Sequence, residues 1–278
     1  MPELPEVQTT VNGLQSLLGK EITNIKLYTT KLRYLIPKNI IKIAKNNKIL
    51  EIYRVGKYII LKLSNNYSLI FHLGMSGHLR ISKAINYQFV KHDHILLFIK
   101  NRKILSFNDP RKFGFIDLAI SKKIYKKKYI IKLGLDPFDI QLTYHYLFKK
   151  ISNSKVPIKQ ILLDQRMIAG IGNIYASEIL YDAKISPFTP GFHLNNDKLK
   201  NLIKSIRKIL KKAINFGGTS IRNYVAIDGT LGNFQHKFKV YNKEKQKILG
   251  FKIKRVVQYG RSTFYCPELQ KSKYNPIL

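Results

Sequence analysis

The sequence predicts an α+β protein of more than one domain, and three features of its patterning say so. An amphipathic stretch opens the chain, short apolar runs bounded by turn residues fill roughly the next hundred positions, and a helical period takes over near residue 196. Pro5 to Leu18 read as a helix with Val7, Val11, Leu14, Leu17 and Leu18 on one face. "YIILKL" and "YSLIFHL" flank "SNN", and "HILLFI" and "KILSF" flank "KNRK", so both read as hairpins. Residues up to about Leu118 therefore form a β-sandwich behind an N-terminal helix. "SKKIYKKKYIIK" reads as a linker or a solvated helix. In "NDKLKNLIKSIRKILKKAINF", Leu199, Leu202, Ile203, Ile206, Ile209, Leu210 and Ala213 recur at helical spacing with lysines opposite, which predicts a core-facing helix. The tail, "HKFKVYN" and "KILGFKIKRV", reads as paired strands leading into "GRSTFYC".

Charge narrows the function. The chain holds 50 Lys+Arg against 16 Asp+Glu, a net charge of +34, with a pI near 10.1. Such a balance suits a polyanion, because each neutralised phosphate releases counterions and adds affinity without sequence preference. Part of the excess also fits a compositional bias, since the chain abounds in Ile, Asn and Tyr. No apolar run reaches the ~18 residues of a membrane span, and no basic segment followed by an apolar one opens the chain. A cytoplasmic protein is expected. The lone cysteine, Cys266, excludes an internal disulfide framework.

The opening "MPELPEVQTT" admits two readings. Pro and Glu suit the first turn of a helix, where a missing N–H and a negative charge both fit. Removal of the initiator Met, usual before Pro, would also expose a secondary amine at Pro2. An α-amino group has a pKa of about 7.7–8.0, so about a tenth is unprotonated at neutral pH. Attack on a sugar C1′ would give an iminium ion, the electron sink of Schiff-base catalysis.

Further motifs bear on that choice. "LDQRMIAGIGNIYASEIL" is an apolar segment, a glycine turn and a helix, with Asn173 where an N-cap would stand and free N–H groups for a phosphate. "HLGMSGHLR" and "NDPRKFGF" supply Met75, Arg111 and Phe113, types suited to wedging into a base stack. Lys57, His92, Lys155 and Arg261 are candidate phosphate or catalytic cations. "HDH" invites a metal reading, which strand alternation disfavours: His92 and His94 would share a face, with Asp93 pointing away.

Together "PELPEV", "HLGMSG", "KHDH", "DPRKFG", "GIGNIYASE" and "GRSTFYC" make the chain resemble the formamidopyrimidine-DNA glycosylases over nearly its whole length. The resemblance implies a sandwich domain (residues 1–130), a helix-two-turn-helix lobe (131–230) and a zinc-finger-like β-hairpin (231–278), with double-stranded DNA containing oxidised bases between the lobes. Carried onto matching positions, Pro2 is the nucleophile at C1′ and Glu3 the acid that assists sugar ring opening. Lys57 is the proton donor in β-elimination or a phosphate contact, and Arg261 acts in δ-elimination. His92, Arg111 and Lys155 are implied DNA contacts, Asn173 a phosphate contact, and Met75, Arg111 and Phe113 the set that fills the void of an extruded base. A monomer and no organic or catalytic metal cofactor are expected.

One departure stands out. The family's finger holds zinc with four cysteines, whereas "NKEKQKILGF" has none and "FYCPELQ" keeps only Cys266. His236 cannot complete a four-ligand site, so a zincless finger is expected, held by Phe238, Val240, Ile248 and Phe251. Two other functions remain open on the sequence: an endonuclease VIII-like preference for oxidised pyrimidines, and a basic nucleic-acid-binding protein without catalysis. Leu4 and the Met75, Arg111, Phe113 set favour the purine reading over the first; intact Pro2, Glu3, Lys57 and Arg261 speak against the second.

Overall fold

Two prolines and two carboxylates set the start of the first helix. In this computed structural model, which describes residues 2–219 and 232–276, α1 spans Leu4–Leu14 with Glu3 as N-cap, and Glu3 and Glu6 close a capping box. The predicted helix to Leu18 stops early. Its last turn tightens to a 3-10 helix, Gln15–Leu17, and Leu18 turns extended before Gly19 at φ +71 reverses the chain. Val7, Val11, Leu14 and Leu17 are therefore buried while Leu18 is exposed.

The chain divides into two compact units, residues 1–131 with 214–235, and residues 132–213 with 236–278. Among the described residues the first is built on eight strands: β1 Glu21–Leu27, β2 Asn47–Val55, β3 Tyr58–Leu63, β4 Tyr67–His72, β5 His78–Lys83, β6 Asp93–Ile99, β7 Lys103–Asn108 and β8 Phe115–Ile120. They pair antiparallel in the order β5-β7-β6-β1-β2-β3-β4-β8. The predicted hairpins are β3–β4, closed by Asn66 at φ +62, and β6–β7, closed by Asn101 and Arg102 at φ +67 and +54. Phe71 on β4 and Phe107 on β7 lie far apart in that order, yet their rings meet edge-on at 5.9 Å. The two halves of the sheet thus face each other as a sandwich, with Leu61, Leu69, Phe71, Leu97, Leu105, Phe107 and Ile116 in its core. A short helix α2, Ile40–Ala44, and the α1 face complete that core. The lysine-rich segment is a 3-10 helix, Ser121–Lys126, pinned by fully buried Ile124.

The second unit is helical, then stranded. Its helices are α3 Tyr144–Ile151, capped by the Thr143 hydroxyl, α4 Ile158–Leu163, α5 Asn173–Asp182 and most of α6, Asn196–Asn215. The α6 positions expected inside are buried, all seven of them. Arg207 on its other flank donates to the carbonyls of Pro137, Asp139 and Leu142 at 3.2, 2.9 and 3.1 Å, fixing the preceding loop. The finger follows as two small hairpins: β9 Lys247–Ile248 with β10 Phe251–Lys252, and β11 Lys254–Gln258 with β12 Arg261–Tyr265.

Two expectations for the finger fail. "HKFKVYN" is no strand; it is part of a 3-10 turn, Phe234–Lys237, and bends, because the N–H groups of Lys239, Val240 and Tyr241 turn to one side-chain carboxylate. Phe251 is 43 % exposed, since Leu249 and Gly250 at φ +50 and +84 swing it outward; Ile253 and Phe264 pack on Val240 instead. Among the described residues no helix is long and apolar enough to cross a membrane.

Candidate active site

In the first unit the N-terminus is built into the protein. Pro2 is buried, and Glu3 and Glu6 are 3 % and 1 % exposed. Glu6 does two things. Its Oε2 accepts the Glu3 N–H at 2.8 Å, and its Oε1 accepts the N–H and hydroxyl of Thr219 at 2.8 and 3.0 Å. Gly218, at φ +74, lies so close that a Cβ there would stand 3.0 Å from Glu6 Oε1. The carboxylate thus joins the helix cap to the segment that opens "GGTSIRNYVAIDG". The rest of that segment, expected to border a flipped base, lies outside the described residues from 220 on.

Lys57, 7 % exposed, sits in the turn between β2 and β3. Arg54 ties this turn to α1, its Nε donating to Gln8 Oε1 at 3.0 Å and its Nη1 to the Gly56 carbonyl at 2.9 Å. Sequence reasoning passed over both Arg54 and His72. The His72 ring stacks on Phe115 at 5.4 Å, and its pKa falls to about 4 through burial and the charges of Lys57 and Arg33. Its Nδ1 accepts the Gly74 N–H at 3.2 Å, which leaves the proton on Nε2. It is a neutral donor beside two cations. The signal was present in "HLGMSG", but a histidine that ends an apolar strand reads equally as core.

Met75, Arg111 and Phe113 are brought together. Met75 and Phe113 are 40 % and 45 % exposed, and the Arg111 guanidinium lies 4.6 Å over the Phe113 ring. Their loops interlock: a Cβ on Gly74 would fall 2.4 Å from the Gly114 nitrogen, and Asp109 bonds to both loops. His92 is on the same network. His92 takes φ +75 outside β6, so "HDH" is not one regular strand, yet its ring lies 6.3 Å from that of His94; Asp93 is buried, 1 % exposed, accepting from Tyr87, Val90 and Asn108. His94 Nε2 pairs with the Asp109 carbonyl at 2.9 Å.

In the second unit Arg261 opens β12 at the tip of a two-residue turn, Tyr259 and Gly260 at φ +49 and +72, and is exposed. Its neighbour is anchored. The Ser262 carbonyl accepts from Lys159 Nζ at 2.9 Å and Asn173 Nδ2 at 3.0 Å, and Lys159 also donates to Thr263 Oγ1 at 2.7 Å. Lys155 stands exposed ahead of α4, whereas Lys159, four residues on and unremarked in sequence, is fully buried. Asn173 is the first residue of α5; its N-cap is Gly172. Glu178 on α5, 2 % exposed, accepts from Lys239, Val240 and Tyr241 N–H at 2.8, 2.9 and 2.8 Å. Burial pushes its pKa up, and those three donors oppose the rise.

Among the described residues no three His, Cys, Asp or Glu side chains gather as a metal-binding group. Cys266 is fully buried, its Sγ 3.6 Å from Glu268 Oε2 and its thiol pKa pushed up by burial. His236 is exposed, and Ile248, on the first hairpin, packs against the Val240, Ile253 and Phe264 cluster. One protonated thiol is no structural zinc site.

Comparisons with known proteins agree along the chain. The sequence model described as the formamidopyrimidine-DNA glycosylase N-terminal domain matches residues 1–116, and that described as the H2TH domain of the same family matches residues 133–225. Formamidopyrimidine-DNA glycosylases of Rickettsia conorii and Zymomonas mobilis are 42 % and 44 % identical, each over 98 % of this chain and all of the relative. A solved Lactococcus lactis FPG mutant bound to Fapy-dG-containing DNA superposes with a TM-score of 0.90 at 33 % identity, over 98 % of this chain and all of that one. A complex of the Lactococcus lactis protein with abasic-site DNA gives 0.88, also at 33 %, over 97 % and 100 %.

Proposed function

The chain belongs to the formamidopyrimidine-DNA glycosylase family, and from that premise we propose how its own residues divide the work. It is a base-excision repair enzyme, a glycosylase for oxidised purines with abasic-site lyase activity, acting on lesion-bearing DNA. Once Met1 is removed, the Pro2 amine attacks C1′ of the damaged nucleotide, the C1′–N bond to the base breaks, and an iminium joins enzyme and sugar. Glu3 supplies the proton that assists opening of the sugar ring. Lys57 and neutral His72 hold the phosphate beside the reacting sugar, one by charge and one by its Nε2–H. Lys57 also stands as proton donor for β-elimination, and Arg261 serves δ-elimination, leaving a one-nucleotide gap with phosphate at both ends.

Met75, Arg111 and Phe113 fill the space left by the extruded nucleotide, Arg111 facing the orphaned base. His92 and Lys155 contact the DNA, and the first turn of α5 at Asn173 meets a phosphate. The finger does this without zinc, because Glu178 and an apolar cluster organise it. The observation that supports the reading most is the burial of Pro2 and Glu3 on a helix cap held from two sides by Glu6. Borohydride trapping on a duplex with 8-oxoguanine opposite cytosine tests it. A covalent adduct mapping to Pro2, strongly diminished in Pro2→Gly, is expected; an adduct that maps to another residue would reject Pro2 as nucleophile.

A further inference from the structure

We propose that the buried carboxylate of Asp109 is a positioning residue: it fixes the Met75, Arg111 and Phe113 wedge, and base excision depends on it more than cleavage of a ready-made abasic site does. The inference rests on the reading of those three side chains as the void-filling set.

Three exposed side chains that must enter a base stack need a backbone that does not give way, and here one residue supplies the restraint. Asp109 is fully buried. Its Oδ1 accepts the Ser76 hydroxyl at 2.5 Å and the Arg111 N–H at 3.3 Å, and its Oδ2 accepts the Gly114 N–H at 2.7 Å. The same carboxylate therefore holds the residue after Met75, the backbone of Arg111 and the residue after Phe113. Its main chain completes the hub: the Asp109 carbonyl accepts from Lys112 N–H at 3.2 Å and pairs with His94 Nε2 at 2.9 Å, while its N–H donates to the His92 carbonyl at 3.1 Å.

The two loops cannot slide past each other. Gly74 lies against the Phe113–Gly114 peptide, where a Cβ would come within 2.4 Å, and Lys112 takes φ +54 to pass between Arg111 and Phe113. A carboxylate suits this position because it offers two acceptor oxygens to three donors and no competing N–H. An amide in its place presents one oxygen and one NH2; the Ser76 hydroxyl, which already accepts the Arg111 N–H at 3.2 Å, can turn to accept from that NH2, but in either orientation a backbone N–H of the Arg111–Gly114 loop faces a donor. Misplacement of reacting or wedging groups by about 1 Å costs up to about a hundredfold in rate. An abasic site has no base left to extrude, so its cleavage draws less on the wedge.

The test compares single-turnover excision from an 8-oxoguanine:cytosine duplex with strand cleavage at a pre-formed abasic site, for the full chain and for D109N, S76A, Met75→Ala and Phe113→Ala. For D109N the ratio of excision to abasic cleavage is expected to fall about tenfold, and for S76A, which removes one link and leaves the carboxylate, about threefold. Fluorescence of 2-aminopurine beside the lesion, which reports the wedge entering the stack, should weaken in the same order. Equal loss of both activities in D109N and S76A, or no change in either ratio, overturns the proposal. If D109N does not fold, S76A decides alone. If Met75→Ala and Phe113→Ala leave the ratio unchanged, the void-filling reading fails; if they lower it while D109N and S76A do not, the positioning claim alone fails.

Discussion

The sandwich and the finger hold their functional residues by different means. In the sandwich, Lys57, Met75, Arg111 and Phe113 rise from turns at the ends of strands whose inner faces share one large apolar core. The finger has Val240, Ile253 and Phe264 as its buried core and places Arg261 on a strand bound by polar anchors, Glu178 below one segment and Lys159 with Asn173 on the Ser262 carbonyl. A small module cannot bury enough surface to set its own geometry, so fixed charges or a metal must do it. Here helices α4 and α5 provide the charges.

The largest expected effect breaks the comparison on the sandwich side. Phe71→Ala removes a fully buried ring from the sandwich and should cost about 4 kcal/mol of urea-unfolding stability. Amide exchange in the finger should stay as in the parent under native conditions; a matching loss of finger protection would show that the two regions are not independently held. Glu178→Ala is the counterpart. It leaves three N–H groups without their acceptor, and finger exchange should quicken by an amount equivalent to about 3 kcal/mol while the sandwich is unaffected.

A pH titration sharpens the contrast at about the same size. The folded pKa of His72, about 4, lies below its ordinary 6.5, so the neutral ring stabilises the fold above pH 6.5 and that stability is lost as pH falls from 6.5 toward 4. The shift corresponds to about 3 kcal/mol over that interval. His72→Gln should flatten this part of the stability-against-pH curve; an unchanged slope would place the titration elsewhere. The smallest effect is expected for Lys159→Met, which keeps the bulk of the side chain and removes the hydrogen bonds to the Ser262 carbonyl and the Thr263 hydroxyl, about 2 kcal/mol. Its readout is the product: strand cleavage should stop more often after β-elimination, because Arg261 is less well placed.

What the sequence made legible follows the same division. Hairpins at "SNN" and "KNRK", the α6 stripe and the first three turns of α1 are local patterns, and local patterns can be read. Some failures are local, such as the early end of α1 at Gly19 and Phe251 turned outward by Leu249 and Gly250; others involve distant partners. "HKFKVYN" alternates like a strand, but Glu178, some sixty residues upstream, takes the N–H groups that a strand would have paired. His92 leaves the strand because Asp109 takes its carbonyl and Asp93 turns inward to gather Tyr87, Val90 and Asn108. Lys159 reads as one lysine among many until its ammonium is seen on the Ser262 carbonyl. The motifs themselves were visible; the residues that hold them in place were not.

The most direct measurement repeats the borohydride trap on protein dialysed exhaustively against a chelator and assayed for residual zinc. The expected result is a single adduct at Pro2, at the yield of undialysed protein, with no bound metal and no gain on adding zinc. A yield that collapses on dialysis and returns with stoichiometric zinc would contradict a finger organised by Glu178 and Lys159 in place of a metal.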